Sequence, residues 1–424
     1  MKRLHEFLLY LMVILTPFQD TFLREPLRQL GASFAVLPLL ALVAIDCVNW
    51  LASEERRVNL KWVAIGLYAL LLNALALTLS GTEWNGVNLL LKVPNVFFLT
   101  ALALYVVFRP KWIELDHLGA AVKIAFGIAV VGVLLGDLNL LGLRGVVDNP
   151  ILHRTINPDT RWRGLTSEAS TLSLSLGSLG LLSAALSRGI ARALFLTATV
   201  FLLCAGASKG AIPAMLAVGI GLIVFSTGNR FWAAAITILL LPVGYFGYQR
   251  VQILSATDAL SQTTTAATRA TVVVWAIDVI ARNPLGVGFS GFYPALSRQL
   301  PDAIDTVSKI SPVPLNFEEV LGYVTSGDNA SSKTLLFNYG AYFGIPFLIV
   351  FAVFIVRLMR ACVRGHQPLL LATLLYVTVA ISTYNDPITY YSTFVIYGVG
   401  WQFYRSVTPP ARSLGLPLPA GSRG

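Results

Sequence analysis

Charge is scarce in this sequence. Asp, Glu, Lys and Arg make up 12% of its 424 residues, about half the share of an ordinary soluble domain. That shortage excludes a solvated surface over most of the chain. Cysteine is scarcer still. Cys47, Cys204 and Cys362 lie far apart, each in or beside an apolar segment, which excludes a disulfide framework and a cysteine zinc site. The histidines His5, His117, His153 and His366 show no metal-ligand spacing, so no metal and no cofactor is expected. No small-residue cleavage site follows the first apolar run. Met1-Lys2-Arg3 and that run read instead as a first span with a cytoplasmic amino terminus.

Apolar sequence is what the chain has in abundance: 56% hydrophobic residues and a mean hydropathy of +0.71. The pattern predicts an all-α polytopic membrane protein with about twelve spans of about 20 residues each. They are expected at 5–23, 31–51, 61–80, 88–108, 117–136, 164–186, 190–207, 209–227, 231–249, 334–358, 367–383 and 388–405. Residues 1–424 then form one integral-membrane domain: spans 1–9 within 5–249, a large loop at 250–333, spans 10–12 within 334–405, and a cytoplasmic tail at 406–424.

The net charge of +10 invites a nucleic-acid partner, but the basic residues gather at span ends. Arg56, Arg57 and Lys61, then Arg109 and Lys111, Arg188 and Arg192, Arg230, and Arg357, Arg360 and Arg364 all fall on one side, with Arg405, Arg412 and Arg423 in the tail. The positive-inside rule makes that side cytoplasmic and puts both termini there. The partner is the lipid bilayer, not nucleic acid. Two loops on the opposite side are basic against the rule: 137–163, with Arg144, His153, Arg154, Arg161 and Arg163, and the large loop itself. Long loops translocate regardless of charge, and an anionic ligand on that face would explain their arginines.

Within the large loop, residues 266–281 carry Val272, Trp275, Ile277 and Val279/Ile280 at near-helical spacing. Asn283-Pro284 stops that helix, Gly286, Gly288 and Gly291 allow a tight turn, and Pro312-Val313-Pro314 gives a stiff extended stretch further on. Short amphipathic helices lying on the membrane surface are the expectation.

Four motifs carry chemistry. Arg161-Trp162-Arg163-Gly164-Leu165-Thr166-Ser167-Glu168 opens a span. Its arginines offer forked donors for phosphate oxygens, and Glu168 lies about one helical turn inside the boundary, where an ionisable group is costly. The plainer reading has Arg163 snorkelling and Glu168 serving the helix terminus. Ser208-Lys209-Gly210-Ala211 joins two spans, either as a tight turn or as an anion-holding turn with Lys209. The third is Arg269 with Trp275 and Asn283-Pro284-Leu285-Gly286-Val287-Gly288-Phe289; alone, Arg269 is a solvated helix charge. The fourth, Gly327-Asp328-Asn329, precedes a span, and Asp328 is a base or a cap. Tyr384-Asn385-Asp386-Pro387 reads as a structural turn.

In this order, Arg-x-x-Gly-x-x-x-Glu, Ser-Lys-Gly-Ala, Arg…Trp…Asn-Pro-Leu-Gly-Val-Gly-Phe and an Asp-Asn span entry resemble the O-antigen polymerase and O-antigen ligase superfamily over roughly 160–350. The resemblance implies an all-helical fold like that of integral-membrane glycosyltransferases, with the loop roofing a lateral cavity. It implies work on the periplasmic face of the bacterial inner membrane, on sugar chains linked to undecaprenyl diphosphate, without a nucleotide sugar and without a metal. Polymerases join repeat units; ligases move the finished chain to lipid A core. By resemblance Arg163 and Arg269 clamp the diphosphate, with Lys209 and Arg161 beside them. The acceptor hydroxyl needs a base within about 3 Å. Family ligases carry a histidine at the end of the loop, where this chain has Asp328-Asn329. That departure favours a polymerase and leaves Glu168, Asp328 and His153 as base candidates. A flippase or secondary transporter is the reading from another class; such folds show repeats and broken helices at the midplane, whereas here the polar residues gather on one face in an asymmetric loop and the two halves do not resemble each other. A chain-length regulator and a flippase are the expected partners of a polymerase.

Overall fold

The computed structural model describes residues 2–53, 60–108, 115–152, 162–166, 168–206, 211–225, 259–311, 314–326, 331–384, 386 and 388–407. The expected ninth span, 231–249, lies outside them, as do His153, Arg161, Lys209 and Asp328. Each other expected span overlaps a helix, but the helix of the first, expected at 5–23, ends at Ile14, and that of the sixth, expected at 164–186, starts only at Ala169. The helices are α1 (Lys2–Ile14), α2 (Val36–Ala52), α3 (Leu60–Ser80), α4 (Leu89–Phe108), α5 (Leu115–Gly132), α6 (Ala169–Ala185), α7 (Gly189–Ala205) and α8 (Ala211–Phe225). After the large loop's α9 (Ala259–Arg282), α10 (Gly288–Ile310) and α11 (Glu318–Ser326) come α12 (Leu335–Arg364), α13 (Pro368–Thr383) and α14 (Tyr391–Val407).

Among the described residues, four stretches are long and apolar enough to cross a membrane: Leu60–Ser80, Leu89–Phe108, His117–Asp137 and Leu335–Arg364. The other apolar helices have 10–17 residues, at or below the lower limit of about 17 for a span, so twelve crossings remains a count from sequence. One hydrophobic core draws on α1, α2, α4, α5, α6, α7, α8, α12, α13 and α14. Helix α6 runs through its middle, with nearly every side chain buried.

The large loop corrects the expectation of short surface helices. Helices α9 and α10, 24 and 23 residues long, form a hairpin with a core of its own. Trp275 is fully buried, meets the Phe292 ring edge-on with centroids 4.9 Å apart, and joins Val272, Val279, Leu296 and Leu300. Tyr293 donates its hydroxyl to the Tyr323 carbonyl at 2.9 Å, tying α10 to α11. The apolar spacing around Trp275 marks a face buried against protein rather than lipid headgroups. Helix α10 also runs on through Pro294 and Pro301, which argue against a long helix on sequence alone.

The Asn-Pro-Leu-Gly-Val-Gly turn of the hairpin docks on a break in α12. At Gly344 the backbone leaves helical geometry (φ 66°, ψ −156°). The hydrogen bond that Ile345 N–H would make to the Ala341 carbonyl in a regular helix is exchanged for two to the turn. Ile345 N–H donates to Pro284 O at 2.8 Å, and Ala341 O accepts from Val287 N–H at 2.9 Å. Both glycines are needed for this approach. A Cβ on Gly286 (φ +90°) would lie 2.4 Å from Tyr342 O, and one on Gly344 would lie 2.1 Å from Pro284 O. Helix α3 holds the same joint. The Tyr68 hydroxyl donates to Leu285 O at 2.5 Å and reaches Phe343 O at 3.2 Å, and the Asn73 side chain accepts from Ser290 N–H at 3.0 Å in the first turn of α10.

Candidate functional site

Four segments distant in sequence meet at one end of the bundle: the α5–α6 connection, the hairpin with α11, the entry to α12, and the α13–α14 turn. The alternation of spans predicts all four on the same side of the membrane.

The α5–α6 connection is organised by two aspartates. Asp137 accepts the backbone N–H of Arg163 at 3.1 Å and that of Gly164 at 2.7 Å. Asp148 pairs with the Arg163 guanidinium and with Arg144 at 2.9 Å. Arg163 is 4% exposed. It does not snorkel, and Asp148 neutralises it from within the protein. Its Nη1 is nonetheless buried without a hydrogen-bond partner, an unsatisfied donor of a kind that native structures rarely keep without reason. Glu168 occupies the N-cap position of α6 but makes no side-chain cap. Its exposed carboxylate accepts from Ser170 Oγ at 3.2 Å, and its charge reaches both Tyr323 and Tyr390. The Thr171 hydroxyl donates to Tyr390 at 3.1 Å, linking α6 to the last turn.

Glu319 of α11 forms a second centre. It accepts from the Tyr323 hydroxyl at 2.7 Å and from Thr268 of α9 at 3.0 Å, and pairs with Lys333 at 3.3 Å. Burial pushes its carboxyl up, but the Tyr323 bond, the Lys333 charge and the Thr268 bond together hold it below the usual range. Burial, and after it the bond to Glu319, pushes Tyr323 up. Lys333 also lies 5.3 Å over the Tyr323 ring.

Asp386 is the third centre. It accepts from Ser331 Oγ at 3.0 Å and from Asn338 Nδ2. Asn338 is held in turn by the Ser332 N–H at 2.8 Å. The second carboxylate oxygen, Oδ1, is buried with no hydrogen-bond partner. Burial raises the Asp386 pKa, against the opposing bonds from Ser331 and Asn338 and the nearby charge of Lys333. Arg269, half-buried on α9, brings its charge to Tyr384 in the same turn. A cation, a carboxylate with a free oxygen and a raised pKa, and a second carboxylate at Glu168 line one end of the bundle. Such groups can neutralise an anion and accept a proton.

Arg269, Glu168 and Arg163 all fall in this region. Arg161, Lys209, Asp328 and His153 lie outside the described residues. Among the described residues no group of three or more His, Cys, Asp or Glu side chains forms a cluster able to hold a metal. Sequence reasoning missed Asp386, Lys333 and Glu319. A buried aspartate in a short turn between two apolar spans was legible as an ionisable group at membrane depth, but Asn-Asp-Pro is also an ordinary turn signature.

No family model matches the chain, and no solved structure matches it. Among curated proteins it is similar to one described as an uncharacterized 49.5 kDa protein in the cps region of Klebsiella pneumoniae. The identity is 26% over 207 residues, 48% of this chain and 47% of that protein. The chain thus spans about half the length of the curated relative it matches.

Proposed function

We propose that this chain is a polysaccharide polymerase of the bacterial inner membrane. It extends an undecaprenyl-diphosphate-linked oligosaccharide on the periplasmic face. The carrying observation is the convergence of Arg269, Glu168 and Asp386, from three separate segments, at one end of a helical membrane bundle. The relative from a cps region supports a place in capsule polysaccharide synthesis.

In this reading the acceptor sugar hydroxyl gives its proton to Asp386 Oδ1 as it attacks the anomeric carbon of the donor chain. The bond from that carbon to the diphosphate oxygen breaks, and the lipid diphosphate leaves with the electron pair. Arg269, from the hairpin, and Arg163, through its free Nη1, oppose the charge that grows on the leaving group. By the resemblance, Arg161 and Lys209 also serve the diphosphate. Asp386 suits the base role because its raised pKa increases its basicity while its free oxygen keeps a lone pair directed at no protein donor. Glu168 then orients the acceptor through its exposed carboxylate, and Asp328 is the alternative base.

The test is reconstituted full-length protein supplied with an undecaprenyl-diphosphate-linked repeat unit. Lengthened sugar on the lipid diphosphate supports the reading. Transfer to a lipid A core acceptor makes the chain a ligase, and movement across the bilayer at unchanged length makes it a transporter.

A further inference from the structure

The turn at 284–287 is apolar, and Leu285 at its apex is 60% exposed. Three contacts fix its level in the molecule. Tyr68, bonded to the Leu285 carbonyl, lies roughly 18 Å along α3 from its Ser80 end at 1.5 Å per residue. Asn73, bonded at the start of α10, lies roughly 10 Å along from the same end. Gly344, against which the turn packs, lies roughly 13 Å into α12 from Leu335. A bilayer's acyl region is about 30 Å deep, so levels of roughly 10–18 Å put the turn among acyl chains near the middle of the bilayer, not at headgroups.

Backbone at that depth requires its polar groups to be satisfied within the protein. Pro284 O accepts from Ile345 N–H, Gly286 N–H donates to Asn283 O, and Val287 N–H donates to Ala341 O; Leu285 O accepts from Tyr68. A turn in water has no need of a tyrosine from a membrane helix to meet its carbonyl. Arg282, two residues before the turn, has a 55% exposed side chain that pairs with Asp278 at 2.9 Å and with the 68% exposed Asp302 at 3.6 Å, which lowers but does not remove the cost of that charge near an apolar phase. Helix α3 gains its hold on the molecule here. Its buried stripe is Ala69, Leu72, Asn73 and Ala76, it packs chiefly on α10, and its packing on α4 is slight.

We propose that the α9–α10 hairpin is re-entrant. Its turn at 284–287 enters from the site's side and reaches the acyl chains near the middle of the bilayer, and Tyr68 and Asn73 set its depth. The lipid partner is the bilayer itself, and the inference holds whatever reaction the site performs. Arg269, roughly 21 Å up the same helix, is thereby held at the membrane surface.

The test places a nitroxide on Leu285→Cys in full-length protein carrying Cys47→Ser, Cys204→Ser and Cys362→Ala. The protein is reconstituted in phosphatidylethanolamine–phosphatidylglycerol vesicles. A label on Ile310→Cys, 75% exposed at the far end of α10, is the reference. The Leu285 label is expected to relax with molecular oxygen and to be shielded from a water-soluble nickel chelate, with the reverse at Ile310. A Leu285 label that meets the chelate as freely as the Ile310 label overturns the proposal. Tyr68→Phe and Asn73→Ala, together, should shift the Leu285 label toward the chelate and increase its mobility. An unchanged signal in that folded variant overturns the depth-setting role. The wild-type arm stands even if the variant fails to fold, and neither arm reads catalysis.

Discussion

Replacing Gly344 by Ala puts a methyl group where the hairpin turn now lies. The new Cβ would sit 2.1 Å from Pro284 O and 2.5 Å from the Leu285 carbonyl carbon. Both are backbone atoms, so no side chain can swing away to relieve the clash. The backbone at φ 66°, ψ −156° adds about 1–3 kcal/mol of strain for an L side chain. If α12 straightens instead, the bonds of Ile345 to Pro284 and of Val287 to Ala341 are lost, together with that of Tyr68 to Leu285. Each contributes about 0.5–1.5 kcal/mol net, and one helical bond is regained. Either route costs about 1–3 kcal/mol, and the first adds the clash to that, a large fraction of a typical folding free energy. Thermal unfolding of the detergent-solubilised protein, followed by intrinsic fluorescence, reads this directly. Gly344→Ala should unfold well below wild type. Gly322→Ala, whose Cβ meets nothing within 4 Å, should unfold at or slightly above it, since alanine is the better helix former. Equal unfolding of Gly344→Ala and wild type would falsify the docked-turn account.

The same geometry fixes other outcomes. Arg269→Ala and Arg163→Ala should each abolish long chains while single repeat units accumulate on the lipid carrier. Normal chain-length ladders at matched expression would remove the assigned roles. Because burial raises the Asp386 pKa and a base works deprotonated, kcat/KM should fall on acidification through a limb lying above the ordinary aspartate value of about 3.9. A limb at or below that value contradicts the assignment. The Glu319–Lys333 pair is partly exposed, with side-chain exposures of 40% and 36%, so a double-mutant cycle of stability should give a coupling of only about 0.2–1 kcal/mol. Its folded Glu319 pKa is depressed, so that contribution is present at neutral pH and fades as pH falls through the folded value. A coupling that grows on acidification would contradict it.

Much of the helical frame was legible because long apolar runs bounded by arginines admit few other solutions in a bilayer. The motif residues Arg163, Glu168 and Arg269, singled out in sequence, come together at one end of the bundle. The hairpin's size was not legible. Pro294 and Pro301 disfavour a long helix, and nothing local reveals that α10 continues through them against α3. The glycines of Asn-Pro-Leu-Gly-Val-Gly announced a turn, but only the distant Gly344 explains why the turn must be so bare. The roles of Asn73 and Tyr68 were not legible because their partners lie more than 200 positions away. Asp386 was hidden for the same reason. Its neighbours Ser331 and Asn338 come from another segment, and a turn signature accounts for Asn-Asp-Pro without them.

The most direct test of the proposed site is Asp386→Asn in proteoliposomes supplied with an undecaprenyl-diphosphate-linked repeat unit, beside wild type at equal protein. The amide keeps the shape and can still meet Ser331, but it cannot take a proton. Wild type should build a ladder of lengthened chains, and the variant should lose on the order of 10² to 10⁴ in rate while still binding the donor. A ladder of wild-type length and rate from Asp386→Asn would contradict the account.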